Sequence, residues 1–290
     1  MSSPDAPPGK SGACLCGAIQ WTYSGELRLP HACHCSICRK LHGTAYGAYA
    51  IGASENLGWR SGREEVARYR SSETGERCFC PRCGSVVPDP LGVGPETGIP
   101  LGPISEASSD IGIGGHIFVS SQVPWFERTD RKPAFETWPP GIDLPSYATP
   151  ERRAETPTRI GGSCLCGDVR FEVTELFFMR NCHCLRCRRA RCAPHATNAL
   201  SRQAGFAFVA GGDRLASWKV PEAKFFTQTF CVRCSAPMPF VDPSRDLVVI
   251  PAGSFDDDPG RRPSEHIFVG SKAAWFEITD ALPQHLEAAP

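Results

Sequence analysis

Three thiols stand within six residues in "CHCSICRK" (Cys33, Cys35, Cys38), and the cluster returns in "CHCLRCRR" (Cys182, Cys184, Cys187). Zinc is held by four ligands when it is structural and keeps one corner open when it is catalytic, so a three-thiol loop has the composition of an open site. Two pairs flank each triple: Cys14 with Cys16 and Cys80 with Cys83 in the first copy, Cys164 with Cys166 and Cys231 with Cys234 in the second. Seven shared thiols divide into four plus three. C-x-C and C-x₂-C pairs each cover one side of a tetrahedron, whereas adding either pair to a triple exceeds four ligands and strands the other pair. A disulfide framework is the alternative reading of the 16 cysteines.

Other residues near these clusters invite a role. Cys78 lies at the spacing of a triple, but the second copy has Thr229 in its place, which marks Cys78 as a small buried residue. Cys192 aligns with Gly43 and gives the second triple a C-x-C-x₂-C-x₄-C continuation able to close a tetrahedron. It is therefore counted among the second copy's metal ligands, with a buried free thiol as the alternative. On that reading the first copy carries the chemistry and the second is a structural partner. His34 and His183, wedged between ligands, read as supports of the local backbone, and His116 and His266 as satisfied structural histidines. Arg39 with Lys40, and Arg188 with Arg189, directly follow the triples. They stand either to offset thiolate charge and meet a substrate carboxylate or to be solvated surface cations.

The elements that must position these thiols come from a tandem duplication. Cys33 to Cys182 is 149 residues, Cys14 to Cys164 is 150 and Cys80 to Cys231 is 151. The units run over about 11–130 and 160–281, between short tails 1–10 and 282–290. The intervening 131–159 carries six prolines and reads as a linker, with Trp138 and Tyr147 as the residues able to lay it against a domain. Ile19, Trp21 and Tyr23 alternate with Gln20 and Thr22, and Val169, Phe171 and Val173 repeat the pattern, as half-buried strands do. No window shows a long amphipathic helix. The expected fold is all-β, two tandem small zinc-containing domains of short twisted sheets.

Lys plus Arg equals Asp plus Glu at 31 each, which argues against nucleic acid or acidic lipid as partner. The first residues form no signal-like apolar run and no stretch approaches the roughly 18 apolar residues of a membrane span, so a cytoplasmic setting is expected. Clustered thiols there are more often metal ligands than disulfides.

The chain resembles the glutathione-dependent formaldehyde-activating enzyme and centromere-protein-V-like family. The resemblance rests on "GACLCGAI", "CHCSICRK", "CPRCGS" and "HIFVSSQVPWFE", and on "GSCLCGDV", "CHCLRCRR", "CVRC" and "HIFVGSKAAWFEI". It implies one structural and one catalytic zinc in each unit, the first held by the pairs and the second by the triple, with Cys33, Cys35 and Cys38 as the catalytic set. The implied activity is that of a carbon–sulfur lyase, an S-(hydroxymethyl)glutathione synthase-like enzyme that forms or cleaves a glutathione or other thiol adduct of an aldehyde. A non-catalytic thiol carrier or zinc-stabilised interaction module is the competing reading. Lys272 belongs to a family motif, but Gln122 replaces it in the first copy.

Overall fold

The alternation around Trp21 folds as read. In the strand Gln20–Tyr23, Trp21 and Tyr23 point inward and are almost wholly buried, while Gln20 faces solvent. Its antiparallel neighbour Lys10–Ala13 places Gly12 opposite Trp21, where a Cβ would lie 2.1 Å from the indole, so the glycine of the "GACLC" motif makes room for the ring. Gly162 does the same against Phe171. The computed structural model describes residues 9–73, 75–89, 94–104, 111–142 and 159–289.

Each half holds a three-stranded sheet, a five-stranded sheet and a smaller one, two-stranded in the first half (Ala67–Arg70, Glu76–Phe79) and three-stranded in the second (Leu215–Lys219, Thr227–Cys231, Pro237–Met238). In the first half the larger sheet runs Ala134–Phe135, Gly115–Ile117, Arg28–Cys33, Gly47–Ala53 and Glu96–Pro100; in the second, Phe240–Asp242, Leu247–Pro251, Ala196–Ser201, Phe178–Cys182 and His266–Ile267. Trp21, Ile99 and Leu101 share one continuous core with Phe171, Ile250 and Phe255, so the two halves are packed on each other.

The segment 131–142 lies against the first half: Ala134–Phe135 pairs in parallel with Gly115–Ile117, and Trp138 packs edge-on against Phe118 and His31. Tyr147 lies outside the described residues. Each triple also opens a short helix, α1 (Ser36–His42) and α2 (Leu185–Arg191), which a seven-residue segment without a complete apolar stripe does not announce. Cys35 and Cys184 are the N-caps, each Sγ accepting from the backbone N–H three residues on, at 3.4 Å in both halves.

The helices lie at the junction of the halves, and this disposes of the basic pairs that follow the triples. Arg39, Lys40 and Arg188 are buried there and bond across the junction, which is not the setting of solvated surface charge. Arg39 Nη1 donates to the carbonyls of Gly253 (3.1 Å) and Phe255 (2.5 Å). Lys40 Nζ donates to Ser163 O, Ser163 Oγ and Ser254 O and pairs with Asp256. Arg188, fully buried, reaches Gly102 O across the junction, while Arg189 is half-buried. A residue following Cys38 or Cys187 on a helix points about 100° away from it, here into the other half.

Candidate metal centres

The structure brings together the four clusters that counting separated. Cys14, Cys16, Cys80 and Cys83 place all four Sγ atoms within 4.8 Å of one another, and Cys164, Cys166, Cys231 and Cys234 do likewise. Measured edges are 3.5 Å for Cys14–Cys16, 3.7 Å for Cys16–Cys80, 3.4 Å for Cys164–Cys166 and 3.7 Å for Cys166–Cys231. A tetrahedron with Zn–S near 2.3 Å has edges of roughly 3.8 Å, so these donor sets fit zinc. Backbone amides support them: Ile19 N–H and Val169 N–H each donate to the first thiol of their set at 3.3 Å.

The triples Cys33–Cys35–Cys38 and Cys182–Cys184–Cys187 form separate three-thiol groups, with Cys33 and Cys35 Sγ 3.5 Å apart. Within each, one thiol is readiest to ionise. Cys35 is held well below the ordinary thiol range by the thiols of Cys33 and Cys38 and by the Cys38 N–H, and Cys184 is lowered to about 3 in the same way by Cys182 and Cys187. The helix N-terminus on which each sits adds in the same direction.

Cys192 does not join the second triple. It ends α2 in the left-handed conformation (φ 51°), which turns its Sγ away to the carbonyls of Val86 (3.1 Å) and Arg189 (3.3 Å), buried against Leu41 and Val86. Closure by a fourth thiol is thereby overturned, and the buried free thiol is what the fold provides. At the equivalent point of α1, Gly43 (φ 61°) lies so close to Pro251 and Pro237 that a Cβ would meet them at 2.9 and 3.1 Å. The glycine/cysteine difference therefore reflects the junction between the halves.

Cys78 lies outside every thiol group, buried, as the Thr229 comparison implied. The histidines within the triples point away from them. His34 Nε2 meets His116 Nδ1 at 2.9 Å and His116 Nε2 meets Asp130 at 3.0 Å; the chain repeats as His183, His266 and Asp280 at 2.8 and 3.0 Å. Asp130 only accepts, so His116 carries its proton on Nε2 and receives one from His34.

The first triple faces a cavity of about 240 Å³ whose wall includes His31, Tyr49, Arg77, Phe118 and Trp138. Tyr49 and Arg77 escaped the reading of motifs, although the change from "GTAYGAY" to "APHATNA" between the copies marked the region. Burial works against the charge of Arg77, yet the thiols of Cys38, Cys35 and Cys33, with Tyr49, together raise its pKa. In the second half the corresponding position is Gln228, and the cation comes instead from Arg191, lowered to about 10 by burial while Cys187 and Cys192 oppose the fall. Arg77 thus shares the cavity of the first triple, while the Arg191 guanidinium is bonded to Gln228 and Asn198.

Two further buried imidazoles set an acid limit. Burial pushes His42 down to about 4, and burial with His266 pushes His195 down to about 3, from an ordinary 6.5. Between pH 6.5 and those values the unfolded chain binds protons that the folded chain does not. Stability therefore falls as pH falls through this window, at ~1.4 kcal/mol per pH unit for each ring. Urea unfolding of the His195→Phe variant should show a shallower acid slope than the wild type by that amount, and parallel slopes would contradict the assignment.

Among the described residues no helix is long and apolar enough to cross a membrane. Residues 10–121 and 159–271 both match the sequence model of the family described as glutathione-dependent formaldehyde-activating enzyme. A Halomonas elongata protein named as such an enzyme is 36% identical over 84 residues, covering 26% of this chain and 52% of that protein. An uncharacterized lyase of Schizosaccharomyces pombe is 32% identical over 80 residues, covering 28% and 56%. The chain thus spans about half the length of the curated relatives it matches. A crystal structure of a Rhodobacter sphaeroides protein is 25% identical and covers 36% of this chain and 97% of its own, with a TM-score of 0.28.

Proposed function

The chain belongs to the glutathione-dependent formaldehyde-activating enzyme family, and on that footing we propose that it is a zinc-dependent carbon–sulfur lyase. It forms or cleaves the adduct of glutathione and formaldehyde at the triple Cys33, Cys35 and Cys38. The observation that carries this reading is the difference in setting between the two kinds of thiol group. The set Cys14, Cys16, Cys80 and Cys83 has four donors and needs no other, whereas the triple has three and opens on a cavity. Cys33, Cys35 and Cys38 would hold the zinc, which would supply the means of keeping a substrate thiol deprotonated at neutral pH.

The chain's own residues account for the rest of the site. Cys35, capped on α1, holds its place in the triple through the Cys38 N–H. Arg77 balances thiolate charge from the cavity wall, and Phe118 and Trp138 restrict water. In synthesis the glutathione sulfur attacks the aldehyde carbon, the C–S bond forms as the carbonyl π pair moves to oxygen, and that oxygen takes up a proton. In cleavage the carbinol proton leaves, the carbonyl re-forms and the sulfur departs with the C–S pair.

The test is metal content combined with turnover. Four zinc ions per chain are expected, one for each thiol group. A chelator is expected to strip two of them first, and formation of the adduct should stop as they leave. Turnover persisting in protein freed of zinc would end this reading. Retained glutathione binding with no C–S chemistry in either direction would favour a thiol carrier.

A further inference from the structure

Behind the first triple, His42 and Tyr49 are held in a fixed hydrogen-bond order. His42 Nδ1 lies 2.6 Å from the backbone carbonyl of Arg191, a residue of the second half. A carbonyl only accepts, so Nδ1 carries the proton, and the neutral ring presents Nε2 as an acceptor. Nε2 lies 2.7 Å from the Tyr49 hydroxyl, which must therefore donate to it. With its proton committed to His42, the Tyr49 oxygen turns lone pairs, not a proton, toward its remaining surroundings, and Tyr49 lines the same cavity as Cys33, Cys35 and Cys38.

The second half lacks this arrangement at every point. His42, Tyr49 and Arg77 correspond to Arg191, Asn198 and Gln228 at offsets of 149, 149 and 151. There the Arg191 guanidinium donates to Gln228 Oε1 (2.9 Å) and Asn198 Oδ1 (3.5 Å), so each amide oxygen already accepts one bond from a cation that the first half lacks at this point. One chain thus holds two similar thiol triples. The first shares its cavity with a tyrosine hydroxyl whose proton is tied back, and the second has a buried arginine bonded to two amides in place of that histidine–tyrosine pair.

Resting on the lyase reading above, we propose that the Tyr49 oxygen accepts a hydrogen bond from the carbinol hydroxyl of the bound adduct. This makes the first triple selective for hydroxylated thiol adducts over alkyl thioethers. His42 is the positioning residue, and the second half contributes by fixing its ring through the Arg191 carbonyl. Tyr49 stays protonated throughout; its part is to hold the hydroxyl and to tell it from hydrogen or methyl. A site that hydrogen-bonds a substrate hydroxyl rejects the analogue lacking it, because the acceptor is then left unpaired.

The experiment compares affinity for the adduct made from glutathione and formaldehyde with affinity for S-methylglutathione. It uses the zinc-loaded full chain, with adduct turnover measured alongside. Wild type should favour the hydroxymethyl compound by about tenfold, the worth of one such hydrogen bond. Tyr49→Phe, which keeps the ring, should bring the ratio to about one, and His42→Leu should reduce it partway because the tyrosine proton is no longer tied back. Wild-type discrimination retained in Tyr49→Phe, or a wild-type ratio of one, would overturn the inference even if turnover is normal. If no turnover is seen but the ratio depends on Tyr49, the lyase reading fails and the assignment of the hydroxyl contact stands.

Discussion

Cys80→Ser should unfold the chain at temperatures where the wild type is intact, whereas Cys35→Ser should leave the fold and abolish adduct turnover. Cys80 is completely buried, in the turn that follows the strand Glu76–Phe79. The local core there is small, with Ile19, Cys78 and Val87 packed around the thiols, so apolar burial cannot hold the two turns together unaided. The turns are built for a bound ion: Cys80 N–H donates to Ser85 O at 2.9 Å, Gly84 N–H to Cys80 O at 2.8 Å, and Leu15 N–H to Ser85 Oγ at 3.0 Å. A structural zinc contributes folding free energy of about 10 kcal/mol or more in small metal domains, comparable with a whole domain's stability of about 5–15 kcal/mol. Serine at position 35 keeps an oxygen to cap Cys38 N–H, so that change should cost only about 1 kcal/mol. Thermal unfolding and zinc content of the two variants decide the matter. Equal destabilisation would mean that the closed and open sets have been exchanged.

Arg39→Leu should destabilise the whole chain by about 3 kcal/mol or more, although the residue touches no thiol. Its guanidinium satisfies two carbonyls of the other half, at Gly253 and Phe255, in a setting where Arg39 is 6% exposed. Removing the donors strands buried acceptors at about 1–3 kcal/mol each, and the packing of the side-chain stem is altered as well. Arg186→Leu, at an exposed position of α2, serves as the control and should change stability by no more than about 0.5 kcal/mol. Because one core spans both halves, the Arg39 variant should still melt in a single transition, recorded by calorimetry or urea unfolding. Two separated transitions in the wild type would show that the halves fold independently and would remove the basis of this expectation.

The thiol groups were legible in the sequence because metal ligands come in short local spacings and because the duplication supplied an internal control. Thr229 opposite Cys78 removed one cysteine from the ligand count, and both four-thiol sets and both triples assemble as the spacing required. The strands were legible for the same local reason, since alternation at Trp21 and Phe171 is a property of neighbouring residues.

What lay beyond the sequence is whatever depends on the packing of one half against the other. Arg39 and Lys40 follow Cys38 directly, yet the turn of α1 carries them into the second half, while Arg77, distant in sequence, supplies the charge beside the triple. Cys192 has the spacing of a fourth ligand, and only its left-handed backbone and its contact with Val86 turn it away from the triple. Tyr49 gains its orientation from His42, and His42 from a carbonyl 149 residues further along the chain. Spacing fixes which donors lie close along the backbone; the direction each side chain takes, and the partner that holds it there, are set by long-range packing that no local pattern encodes.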